Sequence, residues 1–337
     1  MLKKILTLFL VLLLLVPAGC NFGKSEAVKP LDGQKEPELK KVTVLLDWTP
    51  NTNHTGVYVA KTLGYYRDQG LDVEILPPGS AGPAQLIAAN QADFGFSYQE
   101  EVTIGRTAGL PIKAVAAVIQ HNTSGFASPV DKGIKSPRDF EGKRYGGWGS
   151  PAEEAMLKAL MSQEKADFKK VDLINIGSAD FFTSIKKDID FAWIFWGWTG
   201  IESELKGVPL NFLRLRDYND ALDFYSPVLI ASETKIKSDP DTVAKFIKAT
   251  TKGYQYSIQE PEKSAQILLD SVPELNRDLL MASQKYLAKE YQGDAPRWGE
   301  MDALRWKKYA DWMFAQGLIE KPLDYEQAFT NEFLPKE

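Results

Sequence analysis

The chain has 337 residues, 44% hydrophobic and 25% charged, and the roughly 300 that follow its apolar N-terminus exceed the usual single-domain length, so two lobes are expected. A formal charge of −5, with no basic run interleaved with aromatics, argues against nucleic acid as a partner. One Cys and two His leave no disulfide framework and a poor prospect of a metal site.

The chain opens "MLKKILTLFLVLLLLVPAGC": two lysines, an apolar run from Ile5 to Val16, then small residues up to Cys20. This is the layout of an export signal, too short and wrongly flanked for a spanning helix. It resembles the lipobox of bacterial lipoproteins, with Pro17 in place of the usual Leu, and implies that Cys20 is lipidated after removal of residues 1–19. The plainer alternative is a secretory signal with an incidental Cys. Removal would take Lys3 and Lys4 but no acid, leaving 38 basic against 45 acidic residues, net −7. Acyl chains on Cys20 would hold the protein at the extracytoplasmic face of the cell membrane without spanning it. Residues 20–41 are polar and rich in Lys, Glu, Pro and Gly, and read as a flexible tether.

Strand-like and helical patterns then alternate. "KVTVLL" precedes a helix over Thr55–Arg67, "LDVEIL" a helix over Pro83–Ala89, "ADFGFS" a helix over Glu101–Ala108, and "IKAVAAVI" follows. A second series holds "KRYGGW", a helix over Pro151–Gln163, "VDLINI", a helix near Phe181, "IDFAWIF", a helix over Thr199–Lys206 and "NFLRLR". After "YSPVLIAS" the pattern turns helical, with starts at Asp239 or Pro240 and near Pro261, Asn276 and Met301. Such alternation predicts an α/β fold with mainly parallel sheets. Two α/β lobes and a helical tail point to a bilobal binding protein with a ligand cleft between the lobes. The expected crossings lie near His121–Pro129 and Asp223–Pro227. Lobe 1 is then 42–126 plus 227–337, and lobe 2 is 127–226.

Ligands of open α/β sheets bind beyond the carboxyl ends of the strands. Aromatic and polar residues recur there: Asp47, Trp48 and Asn51 in "DWTPN", Tyr98 and Glu100 in "SYQEE", and Trp148 in "GGWGSPAEE". Trp196, Trp198 and Glu202 follow in "WGWTGIE", and Tyr225 in "DFYSP". Aromatic faces with a few directed polar groups suit a flat heteroaromatic ligand. Trp48 reads as a pocket wall, with plugging of the interlobe seam as the rival role. Asn53 or Thr55 is expected to cap the next helix, and His54 to be structural. Phe191, Trp193 and Phe195 share one face of a buried strand and read as core. The Gly-rich "YGGWGSPAEEA" would let backbone N–H groups approach a ligand, although it is neither a Walker A loop nor G-x-G-x-x-G. No Ser/His/Asp arrangement or metal site can be assembled, and no catalytic residue is assigned.

"DWTPNTNHTGVYVAKTLGYYRDQGLDVEILPPG", "ADFGFSYQEEVTIGRTAGLPIKAVAAVIQ" and "SPRDFEGKRYGGWGSPAEEAML" resemble the family of receptors for thiamine pyrimidine precursors. Its members serve bacterial ABC importers and share their fold with the fungal-type pyrimidine synthases. The resemblance runs from about Val42 to the C-terminus and implies the type II periplasmic-binding-protein fold. It also implies an aminopyrimidine ligand (formylaminopyrimidine or hydroxymethylpyrimidine), an ABC permease partner, no cofactor and a monomer. It implies that Asp47 and Trp48 contribute to the pyrimidine site, and Glu202 is the carboxylate expected to take the 4-amino group and adjacent ring nitrogen. The synthase alternative uses pyridoxal phosphate and its own His. That branch has a Lys and a His where this chain reads "SYQEEVT", and a Cys-rich stretch where it reads "LDFYSPVLI". A same-fold receptor for riboflavin or a sulfonate is the further alternative, and Asp47, Glu100 and Glu202 would oppose a sulfonate.

Overall fold

The computed structural model describes residues 38–78, 81–177 and 179–336. The signal segment, Cys20 and most of the tether therefore lie outside the described residues. Among the described residues ten strands are formed: β1 (Lys40–Leu45), β2 (Leu71–Leu76), β3 (Phe94–Ser97), β4 (Ile112–Ala117), β5 (Ser124–Pro129), β6 (Arg144–Gly147), β7 (Asp172–Asn175), β8 (Phe191–Phe195), β9 (Leu210–Arg214) and β10 (Val228–Ser232). The α-helices are α1 (Thr55–Thr62), α2 (Pro83–Ala88), α3 (Gln99–Thr107), α4 (Pro151–Gln163), α5 (Phe181–Ser184), α6 (Ile201–Leu205), α7 (Glu233–Ser238), α8 (Pro240–Gln259), α9 (Pro261–Ser271), α10 (Arg277–Glu290) and α11 (Ala303–Ala315). A π-helical turn, Trp196–Gly200, runs directly into α6.

Two five-stranded sheets have matching plans, in the orders β2-β1-β3-β10-β4 and β7-β6-β8-β5-β9. β1 is parallel to β2 and β3, and β6 to β7 and β8; the fourth strand of each sheet, β10 or β5, runs antiparallel to both neighbours. Those two strands are the first that the chain forms on entering a sheet from the other one. The interior strands β3, β10, β8 and β5 are buried on both faces, as a doubly covered α/β layer requires, whereas the edge strands β2, β7 and β9 are partly exposed. α1, α8 and α10 cover the first sheet, where Phe94 stacks on Phe246 with ring centroids 3.9 Å apart. α4 covers the second, packing Met156, Leu157 and Leu160 on Phe126 and Phe191.

Three expectations need correction. β1 begins at Lys40, whose Nζ lies 2.6 Å from Asp239 Oδ2, so the tether ends before residue 41. The first crossing is Val118–Thr123, and Ser124–Pro129, which the sequence reading includes in it, is the interior strand β5. The C-terminal segment does not stay with the first sheet. Trp306 at the start of α11 packs in a first-sheet cluster, whereas Tyr309, Trp312, Met313 and Ile319 pack in the second-sheet core. The chain then returns, and Phe329 bridges to Ala114 of β4. Two passes between the sheets are thus added to the two expected.

A polar knot joins these connections. His121 of the first crossing lies 2.6 Å by Nδ1 from Asp223 Oδ2 of the second, and 2.8 Å by Nε2 from Asp294 Oδ1 after α10. Arg305 of α11 reaches the Gln120 carbonyl and lies 3.4 Å from Asp223.

Candidate functional site

Parallel pairing of β1 with β3 brings the residues just past their ends together. Asp47 is buried there with both oxygens engaged. Oδ1 accepts from His54 Nε2 at 2.6 Å, and Oδ2 from the Tyr98 hydroxyl at 2.5 Å. The Asn51 N–H donates to His54 Nδ1 at 3.1 Å, which fixes the tautomer with the proton on Nε2. The His54 ring also meets Phe96 edge-on at 4.7 Å. Burial pushes the Asp47 carboxyl up, but the bonds from His54 and Tyr98 outweigh it and hold it below its ordinary range. Burial and the adjacent Asp47 push the Tyr98 phenol well above its ordinary value.

Asn51, not Asn53 or Thr55, is the capping residue. Its Oδ1 accepts from Asn53 N–H at 2.8 Å, and its Nδ2 donates to the Thr49 carbonyl at 2.9 Å. Trp48, in the same bend, is 55% exposed. Farther along the rim, the Ser97 hydroxyl donates to Glu101 Oε2 at 2.5 Å, while Glu100 has the Tyr309 hydroxyl of α11 at 3.5 Å. Burial lifts Glu100 to about 7, with the carboxylates of Glu101 and Glu153 adding to the rise and the Tyr309 bond opposing it. Burial likewise raises Glu101, less the effect of Ser97.

The corresponding rim of the second sheet follows β6. Glu153, in the first turn of α4, accepts from the Tyr145 hydroxyl at 2.6 Å, from Trp148 N–H at 3.1 Å and from Ser150 N–H at 2.9 Å. Gly147 makes room for this: a Cβ there would stand 2.5 Å from Glu153 Oε1 and 2.7 Å from the Tyr145 ring. Two of the loop N–H groups expected to face a ligand, those of Trp148 and Ser150, are therefore spent on Glu153, in a capping box with Ser150. Trp148 is 48% exposed, its ring 5.3 Å from that of Trp193. Trp193 itself is core, and its buried Nε1 has no hydrogen-bond partner among the described residues.

The other sequence candidates lie in different surroundings. Trp196 packs on Phe212 at 4.7 Å and against Gly200. Trp198 packs against a cluster of α9 and α10 side chains that includes Leu268 and Leu280. Glu202 pairs with Lys206 at 3.0 Å, one turn along α6. Tyr225 is 1% exposed, bonded through its N–H to Gln99 and through its hydroxyl oxygen to Asp302 N–H, with Arg305 over its ring. Asp47, Tyr98, Glu100 and the two exposed indoles thus gather at strand ends, while these four are engaged in packing or pairing. Tyr309 and Glu153 were missed. The S-P-A-E spacing, a capping-box signature, could have found Glu153; nothing local marks Tyr309. Two open surface hollows lie apart from this set, one of about 400 Å³ beside Arg216, Asp223, Arg305 and Lys308, the other of about 270 Å³ beside Pro151, Lys158 and Gln316.

Among the described residues, every donor to the four rim carboxylates is a hydroxyl, an imidazole or a backbone N–H. Such a rim holds buried carboxylates with uncharged donors and leaves two indoles half exposed. Two sheets with this strand plan and their candidate site at the strand ends define a periplasmic-binding-protein fold of α/β class. The aliphatic sulphonate binding protein SsuA of Escherichia coli superposes with a TM-score of 0.67 at 14% identity, over 86% of this chain and 91% of that one. The family model described as NMT1/THI5 like matches residues 51–264, well over half the chain, and the protein belongs to that family. It is 27% identical to the formylaminopyrimidine-binding protein of Halalkalibacterium halodurans, over 97% of this chain and 98% of the relative. It is 26% identical to the riboflavin-binding protein RibY of Chloroflexus aurantiacus, over 98% of each chain. It is also 26% identical to the 4-amino-5-hydroxymethyl-2-methylpyrimidine phosphate synthase of Legionella pneumophila, over 88% of this chain and 92% of that one.

Proposed function

We propose that the protein is the extracytoplasmic receptor of an ABC importer, that it is not an enzyme, and that its two lobes close on an aminopyrimidine such as formylaminopyrimidine or hydroxymethylpyrimidine. Cys20 would carry the lipid anchor, and the closed lobes would present the docking face to the permease. Similarity to a formylaminopyrimidine-binding protein along nearly the whole chain supports this reading. The observation that carries it is the pair of half-exposed indoles, Trp48 and Trp148, at the strand ends of the two sheets beside buried carboxylates. Each leaves on the order of 100 Å² of ring in water, about 2.5 kcal/mol of burial that a flat ligand would realise. The neutral donors around the carboxylates favour a neutral or cationic heterocycle over a sulfonate or pyridoxal phosphate.

The test is calorimetric titration of the purified protein with hydroxymethylpyrimidine, its formylaminomethyl analogue, thiamine, riboflavin, taurine and pyridoxal phosphate. Binding of an aminopyrimidine at about micromolar or better, near −8 kcal/mol, is expected. Preference for riboflavin or taurine, or an aldimine absorbance with pyridoxal phosphate, would overturn the reading. Mass spectrometry of the N-terminal peptide tests acylation of Cys20.

A further inference from the structure

The four rim carboxylates differ in how fully the protein itself satisfies them. Asp47 has a donor on each oxygen, and Glu153 collects a phenol and two backbone N–H groups. Glu101 takes a short bond from Ser97. Glu100 has only the Tyr309 hydroxyl among the described residues, at 3.5 Å, the outer edge of hydrogen bonding. Three carboxylates are thus occupied in holding the strand ends, and one keeps most of its capacity. Glu100 also stands where the two lobes meet, on α3 of the first sheet, with Glu153 of α4 and Tyr309 of α11 acting on it from the second-sheet side.

We propose that Glu100 is the specificity-determining carboxyl of the cleft, and that it reads an amine beside a ring nitrogen while one proton is held between the acid and that nitrogen. This rests on the aminopyrimidine reading above and deepens it. The edge of such a ring offers an N–H donor next to a lone pair. An ionised carboxylate can accept from the amine, but it sets a second lone pair against the ring nitrogen. A carboxylic acid satisfies both, its carbonyl accepting and its hydroxyl donating. The groups acting on Glu100 suit it to that state. Tyr98 and Glu101 lie at its own strand–helix junction, Glu153 on α4 and Tyr309 on α11, and all are acids or phenols. Burial and the neighbouring carboxylates keep a proton within its reach at neutral pH. Glu202, given this task on sequence, would first have to release Lys206.

The experiment measures the affinity for 4-amino-5-hydroxymethyl-2-methylpyrimidine from about pH 6 to 9 with the wild type, Glu100→Gln, Glu100→Ala and Glu202→Gln, each checked by thermal melting. Wild-type affinity should fall by about tenfold per pH unit once the shared proton is lost. Glu100→Gln keeps a fixed donor and acceptor, so it should bind within about threefold of the wild type at low pH and stay level. Glu100→Ala should lose about tenfold or more, and Glu202→Gln should follow the wild type. Glu100→Ala matching the wild type would overturn the proposal. So would Glu100→Gln declining in parallel with the wild type, since the titration would then belong to the ligand. If the wild type binds and Trp48→Ala weakens it while the Glu100 variants do not, Glu100 alone is dismissed. If the wild type does not bind the pyrimidine, the receptor reading falls and takes this one with it.

Discussion

The exit of β1 and the first turn of α3 are neighbouring stretches of one rim, and each withdraws a carboxylate from water with opposite results. Asp47 is more deeply buried than Glu100, yet its carboxyl is held low while that of Glu100 rises to about 7. Donors decide the difference. Asp47 receives a phenol and an imidazole at 2.5 and 2.6 Å, and Glu100 one distant phenol. Burial sets the cost of a charge, and the number of hydrogen bonds to that charge decides whether it is kept. One stretch is therefore architecture and the other is free to answer a ligand.

That contrast can be broken or sharpened by substitution. Asp47→Ala strands the buried His54 Nε2–H and the Tyr98 hydroxyl, and should cost about 2–5 kcal/mol, read as a lower urea midpoint with unchanged slope. Trp48→Ala should leave the urea midpoint within about 0.5 kcal/mol of wild type yet weaken ligand binding by tenfold or more, at least ~1.4 kcal/mol. Equal losses of stability and affinity would show that the ring serves as a plug between the lobes. Glu100→Gln should stabilise the free protein by about 1–3 kcal/mol at about pH 8 and leave it unchanged at about pH 4. The sign follows from a carboxyl raised from 4.5 to about 7: the folded state binds the proton more tightly, so stability falls as pH rises across that window and then levels off. Asp47 runs the other way, its contribution present above 3.8 and lost as pH drops through its lower folded value. The smallest effect is expected at the connections. Asp223, and then Asp294, raise the His121 imidazole above 6.5. Its stabilisation is full below that pH and fades as pH climbs through the folded value. His121→Gln should therefore cost up to about 1 kcal/mol near pH 6 and nothing near pH 9, by thermal melting at both.

Much of the architecture was legible, because long apolar runs separated by helical periodicity leave few alternatives in an α/β chain. β5 was missed for a physical reason. "SGFASP" has Gly, Ser and Pro where strand formers are expected, and it is held extended by pairing with β8 and β9 on either side. Looking for chemistry at strand exits led to Asp47, Tyr98, Glu100 and the exposed indoles. The same rule also selected Trp198 and Tyr225, which are covered by residues from α9, α10 and α11 that lie far along the chain. No local pattern announces such cover. The pairing of β1 with β3, which places Tyr98 on Asp47, was equally invisible, since sequence order would set β1 beside β2 without revealing its other neighbour. Glu202 was chosen for its chemistry, and its partner Lys206 was visible four residues on.

The knot at His121 bears on how the halves can move. Four passes of chain between the sheets would, if independent, act as loose cords allowing twist, slide and separation alike. Asp223 and Arg305 tie two of them to the imidazole and neighbouring carbonyl of a third, and Asp294 adds an anchor from the first-sheet side. Pinned in this way they behave as an axle: swinging about the pin leaves its bonds intact, whereas shearing past it must break several together.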